Sequence, residues 1–180
     1  MNKYGAQTFT VIGPGRLGRS LIDGLKAAGF KPLSIFSRSE PERDLFSASA
    51  GVLCKKGLPA SEEETGRWVF ITTQDDQIGR VAESLSVSGV DWNNRNLIHC
   101  SGNHHSGLLE NVAERGARIA SMHPLQTFSH ESSGSAFEGI TVTLEGNPAL
   151  TRELSDVVQV MGGEPLILDR EQKRILHAAA

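Results

Sequence analysis

The sequence predicts a doubly wound α/β protein, with a mostly parallel sheet that carries helices on both faces. Short runs rich in β-branched and aromatic residues alternate along the chain with helical patterns of about ten residues, which is typical of βαβ crossovers. The run from Trp68 to Thr73 is also almost continuously bulky and β-branched. That composition is expected of a strand in a parallel sheet covered by helices on both sides.

Each predicted strand is a short run of apolar and β-branched residues, and residues that favour turns or helix starts follow it. The run GITVTLEG alternates between apolar and polar residues better than the others. In chain order, the predicted strands are FTVIG, PLSIFS, RWVFITT, NLIHCS, ARIASMHP, GITVTLEG and EPLIL.

The predicted helices show a helical spacing of apolar residues together with end signals. One of them begins with Asn147 as its N-cap and Pro148 at its first position, and it ends in Gly162 and Gly163. A final helix begins after Asp169, and Gln172 stands in the capping-box position three residues later. The helices before this last one are RLGRSLIDGLKAAG, PERDLFSASAG, DDQIGRVAESL, SGLLENVAERG and NPALTRELSDVVQVMGG.

Composition and charge exclude several classes of function. The 180 residues are 38% hydrophobic and 22% charged, with a net charge of −3, so no basic surface for nucleic acid is indicated. No apolar stretch approaches the roughly 20 residues that a membrane-spanning helix needs. The two cysteines, Cys54 and Cys100, form no CxxC pair, which favours a reducing compartment and therefore the cytoplasm.

The first predicted strand leads directly into GPGRLG, which predicts a dinucleotide-binding loop. In this context Gly13 allows a tight turn, Gly15 lets a pyrophosphate approach the backbone, and Gly18 lets the following helix pack on the strand. A dinucleotide-binding loop of this kind predicts a Rossmann-type fold. The alternative is a glycine-rich turn that binds nothing. The candidate cofactor residues of the loop are Gly13, Pro14, Gly15, Arg16, Leu17 and Gly18.

The end of the second strand predicts which dinucleotide is bound. An enzyme that uses NAD usually has an acidic residue there, which bonds to the ribose. This chain instead has Ser37, Arg38 and Ser39, and a cation with two hydroxyls suits the 2′-phosphate of NADP. The alternative is that Arg38 is an ordinary surface residue and that Glu40 contacts the ribose.

Further polar residues follow the other predicted strands, at the sheet edge where ligands bind in this type of fold. Thr73 and Gln74 are predicted to contact the cofactor. Ser101 is placed to orient a substrate, and His123 to donate a proton or a hydrogen bond. The alternatives are local, because Ser101 could cap the following helix and His123 could fix a turn.

Histidines and a cysteine are concentrated in the same region and raise the question of a zinc site. Their spacing matches none of the usual ligand patterns, and consecutive strand residues such as His99 and Cys100 point to opposite faces. We therefore predict no metal site. The residues considered are His99, Cys100, His104, His105 and His123.

The final helix carries a possible acid/base pair. Lys173 and His177 are four residues apart, so both project from one face of the helix. An oxidoreductase needs a proton donor or acceptor beside the hydride, which the cofactor supplies. We therefore treat both side chains as candidate catalytic residues.

The motifs GPGRLGRSL, SRS, TTQDDQI, HCSG, HPLQTF and KRILHAAA, in this order, resemble a family of predicted Rossmann oxidoreductases. Its members join a dinucleotide domain to a C-terminal helical domain and belong to the 6-phosphogluconate-dehydrogenase-like superfamily. They are similar to pyrroline-5-carboxylate reductases, ketopantoate reductases, β-hydroxyacid dehydrogenases and deazaflavin-dependent NADP reductases. The resemblance implies that Gly13, Gly15, Gly18, Ser37 and Arg38 hold NADP, that Ser101 and Gly102 meet the substrate, and that His123 lines the pocket.

The resemblance also has departures. Lys173 matches the interdomain-helix lysine that serves β-hydroxyacid dehydrogenases as the acid/base, but His177 stands where those enzymes have an asparagine. Gln74 replaces a frequent proline, and Leu176 replaces a frequent tyrosine. The exact reaction is therefore left open by the resemblance.

The resemblance further implies a domain organisation. Residues 1–168 would form the NADP-binding domain, and residues 169–180 would begin a linker helix to a helical domain that completes a homodimer. We expect the complete protein to reduce a C=O or C=N bond of a small-molecule substrate. The alternatives are a non-catalytic NADP(H)-binding module that acts through a protein partner, and a plain interaction domain.

Overall fold

A computed structural model describes residues 7–38, 51–52, 54–128 and 134–179. Eight strands form one sheet: β1 (Thr8–Ile12), β2 (Lys31–Ser37), β3 (Cys54–Lys56), β4 (Trp68–Ile71), β5 (Asn96–His99), β6 (Arg118–Pro124), β7 (Thr141–Gly146) and β8 (Glu164–Ile167). The helices are α1 (Arg16–Ala27), α2 (Asp75–Ser86), α3 (Glu110–Ala113), α4 (Pro148–Val160) and α5 (Arg170–Ala179). Short 3-10 turns cover Glu62–Glu64, Ser106–Leu109 and Gly134–Phe137.

The strand order in the sheet is β3-β2-β1-β4-β5-β6-β7-β8. The first six strands are parallel, β7 runs antiparallel to β6, and β8 runs parallel to β7. After β3 the chain crosses to the other side of β1, which creates a switch point between β1 and β4, where ligands bind in doubly wound sheets. The predicted α/β, Rossmann-type doubly wound fold is confirmed.

Strand β4 shows why its sequence is continuously apolar. Trp68 and Phe70 contribute to one core cluster, whereas Val69 and Ile71 contribute to the other. All four side chains are at most 1% exposed, because alternate strand residues point to opposite faces and both faces are covered.

Each core cluster lies on one face of the sheet and takes its residues from different helices. Leu21 of α1 and Leu154 of α4 belong to the cluster of Trp68. Ile78 of α2 and Val112 of α3 belong to the other cluster. The sheet is thus the central layer of three, and its carboxyl edge stays open between the helix ends.

The predicted helix starts are present in the structure. Asn147 Oδ1 accepts hydrogen bonds from the amides of Ala149 and Leu150, both at 3.1 Å. Asp169 Oδ1 accepts from the Gln172 amide at 2.7 Å, and Gln172 Oε1 accepts from the Asp169 amide at 2.9 Å. Helix α5 therefore begins with the capping box that its sequence predicts.

The three-residue strand β3 (Cys54–Lys56) was not predicted, because a run this short has no measurable periodicity. Its two lysines, Lys55 and Lys56, are the only adjacent pair of lysines in the sequence and by themselves indicate a solvated turn. They lie instead on the edge strand, and Lys55 Nζ pairs with Glu64 Oε1 at 2.7 Å. Most of the predicted helix PERDLFSASAG falls outside the described residues.

Candidate functional site

The glycine-rich loop between β1 and α1 has the geometry of a phosphate cradle. Gly13 has a φ of 86°, and a Cβ atom there would lie 2.6 Å from Cγ2 of Thr73. A Cβ on Gly18 would lie 2.7 Å from Oγ1 of Thr72. A Cβ on Gly15, by contrast, would have no atom within 4 Å. Two of the glycines are therefore required by packing within the protein, whereas Gly15 keeps a space open outside it.

Hydrogen bonds hold this loop against the neighbouring strands. The Gly13 amide donates to the Phe36 carbonyl at 2.9 Å, and Thr72 Oγ1 donates to the Gly13 carbonyl at 2.6 Å. The following helix α1 starts without a side-chain cap and without an acidic residue in its first turn. Its first amides are thus available to an anion beside Gly15.

A cavity of about 430 Å³ opens next to the cradle. Of the residues predicted to hold the dinucleotide, Gly13, Gly15, Arg38, Thr73 and Gln74 line it. The apolar side chains of Leu58 and Val81 and the side-chain amide of Gln77 form another part of its wall. The residues that line the cavity are Ile12, Gly13, Gly15, Phe36, Arg38, Gly57, Leu58, Thr72, Thr73, Gln74, Gln77 and Val81. The mixed lining suits a flat ring system next to a charged group.

Thr73 supplies a further observation on what this cavity can hold. Its Oγ1 atom is buried and, within the part of the chain that the structure describes, has no hydrogen-bond partner. Buried hydroxyls are nearly always paired in folded proteins. Because Thr73 also lines the cavity, this hydroxyl is a candidate partner for a polar ligand there; together with the Gly15 cradle and Arg38, the residues present fit a dinucleotide.

The other predicted cofactor residues divide into contacting and structural ones. Arg38 is exposed at the cavity rim, whereas the Ser37 side chain is 2% exposed within β2. Pro14 is buried and Leu17 packs against the core, while Arg16 is exposed at the start of α1. Ser39 lies outside the described residues.

A second group of polar residues lies at the ends of β5 and β6. Lys173 lies in α5. Its Nζ atom donates hydrogen bonds to the Ser101 carbonyl at 3.0 Å and to Ser121 Oγ at 2.6 Å. His123 Nδ1 lies 3.2 Å from the Cys100 carbonyl, and its ring packs against Gly102. The structure therefore brings together three predicted catalytic residues, Ser101, His123 and Lys173.

The Ser101 hydroxyl has a defined role in its loop. Its Oγ atom accepts hydrogen bonds from the amides of Asn103 at 3.1 Å and His104 at 3.2 Å, so it caps this turn. The alternative predicted from sequence, a cap on the following helix, is wrong, because His105 is the N-cap there. An oxygen that accepts two amide hydrogens still has its own hydrogen to donate. Ser101 can thus fix the loop and donate a hydrogen bond at the same time.

Two histidines next to this group have tautomers that their partners determine. Nδ1 of His123 faces a carbonyl, which can only accept, so Nδ1 carries the proton and Nε2 is the acceptor when the ring is neutral. In His99, Nδ1 accepts from the Ser101 amide and Nε2 donates to the His105 carbonyl. Burial lowers the pKa of His99 to about 4, so this ring is neutral at physiological pH.

Lys173 is 4% exposed, which is unusual for a lysine. Burial lowers the pKa of its amine, while the nearby Glu145 carboxylate acts in the opposite direction. A lysine with a lowered pKa exchanges protons more readily near neutral pH than an exposed one.

Other predictions for this region have different outcomes. His177 lies in α5, but its side chain is outside the described part of the structure. Among the described residues, no three His, Cys, Asp or Glu side chains come close enough together to hold a metal ion. Within the same residues, no helix has the length and apolar content needed to cross a bilayer.

Two buried polar residues of this site were missed from sequence, namely Ser121 on β6 and Glu145 on β7. Ser121 is fully buried and Glu145 is 3% exposed. A period of two in the predicted strand ARIASMHP places Ser121 on the same face as His123, so that residue could have been found. Glu145 falls in the polar row of its alternating strand, together with Thr141 and Thr143, which predicts a solvent-facing residue, so no sequence signal marked it as buried.

Comparisons with known proteins relate this fold to solved structures. No protein-family model matches the sequence, and no curated protein matches it. A Bacteroides fragilis protein described as an NADP oxidoreductase superposes with a TM-score of 0.78 and 17% identity, covering 96% of this chain and 64% of its own. The prephenate dehydrogenase of Aquifex aeolicus, solved with hydroxyphenyl propionate and NAD+, gives a TM-score of 0.75 and 14% identity, with 95% and 63% covered.

A pyrroline-5-carboxylate reductase from Coxiella burnetii is similar at a TM-score of 0.69 and 19% identity, over 96% of this chain and 63% of that protein. In each of these three pairs the chain spans less than two thirds of the longer structure. Identities this low show a common fold and not a common activity. The chain therefore shares the Rossmann-type fold of these solved structures.

Proposed function

We propose that the chain is the dinucleotide-binding part of an NADP(H)-dependent oxidoreductase that reduces a C=O or C=N bond of a small metabolite. The observation that carries this proposal is the Gly15 cradle, which opens into a cavity beside Arg38 and the Thr73 hydroxyl, an atom without a partner among the described residues. The names of the structural neighbours, which include an NADP oxidoreductase and a pyrroline-5-carboxylate reductase, support it.

The preference for NADP rests on the cavity lining. Arg38 is a cation at the end of β2, and none of the described residues that line the cavity is acidic. Glu40, the alternative ribose partner, lies outside the described residues. A 2′-phosphate would be attracted to that guanidinium, whereas the ribose hydroxyl of NAD would find no carboxylate among these residues. One of the neighbours was solved with NAD+, so both dinucleotides belong in the test.

The bound cofactor would supply the hydride, and the residues of this chain would orient the substrate and manage its proton. Ser101 has a hydroxyl hydrogen to donate to a carbonyl oxygen or an imine nitrogen. Lys173 donates from Nζ to the carbonyl of the same Ser101, and burial lowers the pKa of its amine. His123 and His177 are the other candidate proton donors, and His123 would donate from Nε2 only as the imidazolium.

The experiment is a titration of the chain with NADPH and NADH, followed by nicotinamide fluorescence. We expect saturable binding of both, with NADPH at least about tenfold tighter, because a charge-assisted contact contributes roughly 1.5–3 kcal/mol. Equal affinity would contradict the role of Arg38. No binding of either dinucleotide would contradict the proposed function.

A second candidate function has some structural support. Lys173 is almost fully buried, and the Ser101 oxygen already accepts two amide hydrogens. Such a site would suit a non-catalytic NADP(H)-binding module that acts through a protein partner. The test offers a panel of aldehydes, ketones and imines to the chain and to a version extended beyond residue 180. If both bind NADPH but neither oxidises it with any of these compounds, the result would favour this candidate.

The domain organisation is part of the proposal. We infer that residues 1–168 form the cofactor domain and that α5 begins the link to a helical domain, which covers the substrate and forms a homodimer. The greater length of the neighbours supports this inference. Sedimentation analysis of a version extended beyond residue 180 tests it, and a stable monomer would contradict the homodimer.

A further inference from the structure

Three buried polar residues form a continuous row across the sheet beneath the candidate site. His99 on β5 is the direct partner of Ser121 on β6, and Ser121 is the direct partner of Glu145 on β7. Directly opposed residues on neighbouring strands share one face of the sheet. All three are at most 3% exposed, so the row lies under the loop and the helix that cover this face.

Each member of the row binds the loop of residues 101–106. His99 accepts from the Ser101 amide and donates to the His105 carbonyl. Ser121 Oγ lies 3.4 Å from the Ser101 carbonyl. Glu145 accepts from the Ser106 amide at 2.6 Å and from the Ser106 hydroxyl at 2.9 Å. Both ends of this loop, which carries Ser101, are therefore attached to the row.

Helix α5 is attached to the same row by two cations three residues apart. Lys173 Nζ contacts Ser121 Oγ at 2.6 Å. Arg170 Nε lies 3.6 Å from Glu145 Oε1. Glu145 thus contacts both the loop and α5, and it is the main carboxylate acting on the amine of Lys173.

We propose that Ser121 and Glu145 are positioning residues, which hold the Lys173 amine and the 101–106 loop in register at the carboxyl ends of β5 and β6. This inference rests on the proposed function, because it assigns Lys173 and Ser101 to the reacting centre. Ser121 acts by a direct hydrogen bond. Glu145 acts by its charge, which favours the protonated amine, and by its two bonds to Ser106.

Several other groups also affect the pKa of Lys173, and the test must separate their effects from that of Glu145. Asp75 on α2 and Cys100 after β5 favour the charged amine less than Glu145 does, and burial opposes it. His99 interacts electrostatically with Lys173 as well, but its ring is neutral above its lowered pKa of about 4. Removing the charge of Glu145 alone should therefore lower the pKa of Lys173.

The test is a pH titration of the chain labelled with ¹³C at lysine Cε, which resolves its six lysines. In Glu145→Gln we expect the pKa of Lys173 to fall relative to the unchanged chain, because the Glu145 carboxylate favours the charged amine. Glu145→Asp should restore most of the shift. Glu153→Gln is the matched control, since it removes a carboxylate that binds Arg118 elsewhere.

Ser121→Ala is the second variant, and it remains informative if Glu145→Gln does not fold. The ammonium of Lys173 loses an acceptor at 2.6 Å, so its pKa should fall there too, and amide exchange at residues 101–106 should accelerate. A Lys173 pKa that is the same in Glu145→Gln, Ser121→Ala and Glu153→Gln would overturn the inference.

The same variants separate this inference from the proposed function. Neither Ser121 nor Glu145 lines the cavity beside Gly15, so both variants should bind NADPH as the unchanged chain does. A shifted Lys173 pKa without NADPH affinity in any chain would overturn only the proposed function. NADPH affinity with an unshifted Lys173 would overturn only the positioning role.

Discussion

Gly13 and Gly15 lie two residues apart in one loop, and a methyl group would affect them in opposite ways. Gly13→Ala should destabilise the fold by about 2 kcal/mol or more, because the positive φ and the contact with Thr73 both oppose a side chain. Gly15→Ala should leave the free energy of unfolding almost unchanged, since its backbone is extended and its surroundings are open.

The affinity for NADPH should respond the other way at Gly15. A methyl group there occupies the space that a pyrophosphate needs, so Gly15→Ala should weaken NADPH binding by about tenfold or more. Urea unfolding and fluorescence titration measure the two effects. Gly89→Ala, whose Cβ would make only an ordinary contact with Ala60, is the control. Unchanged NADPH affinity in Gly15→Ala would contradict the cradle.

Arg38 should affect one dinucleotide more than the other. Arg38→Ala is expected to weaken NADPH binding by about tenfold and NADH binding by much less, because only NADPH carries the 2′-phosphate. The difference should shrink in high salt, since Arg38 is exposed. Arg67→Ala, at the amino end of β4, is the control. If Arg38→Ala weakened the binding of NADPH and NADH equally, Arg38 would act by general electrostatic attraction and not by a contact with the 2′-phosphate.

His99 makes stability depend on pH. Its pKa is about 4 in the folded chain and 6.5 as the reference value, so the unfolded state binds more protons between these values. The free energy of unfolding should therefore fall by roughly 3 kcal/mol as the pH drops from 6.5 to below 4. Urea midpoints across this range measure it. The His99→Gln variant should lack this part of the fall in stability at low pH. If its stability depended on pH as that of the unchanged chain does, the role of His99 would be contradicted.

Gly24 in α1 and Gly79 in α2 are helix-interior glycines, and their surroundings differ. A Cβ on Gly79 of α2 would lie 3.5 Å from Leu108, in ordinary contact. Gly79→Ala should therefore stabilise the chain by about 0.5–1 kcal/mol through helix propensity. A Cβ on Gly24 of α1 would lie 2.9 Å from Met161 Sδ. Gly24→Ala should therefore stabilise the chain less than Gly79→Ala does, or destabilise it. Equal urea midpoints for the two variants would contradict this packing argument.

The elements differ in how well their sequences predict them. The helices α4 and α5 carry their own start signals, Asn147 and the Asp169–Gln172 box, and both were placed within a residue or two. Strand β3 has only three residues and forms because β2 offers an edge to pair with. A strand of that kind depends on its neighbour and leaves no local pattern.

Ligand binding should stabilise the molecule as one unit. NADPH at about 100 times its Kd adds roughly 2.7 kcal/mol to the folded state, which corresponds to a rise in Tm of about 5–10 °C for a chain of this size. Differential scanning fluorimetry measures the rise. Gly15→Ala should reduce it strongly while keeping the Tm without ligand. A rise of the same size in Gly15→Ala would place the bound nucleotide elsewhere.

The sequence by itself determined the alternation of strands and helices, the strand-to-helix glycine loop and the capped start of α5. These features are local, because period, turn chemistry and caps act over a few residues. The tertiary structure decided which distant residues meet: Lys173 with Ser101 and Ser121, and Glu145 with Ser106 and Arg170. Such contacts depend on strand order and register, which no short stretch of sequence encodes.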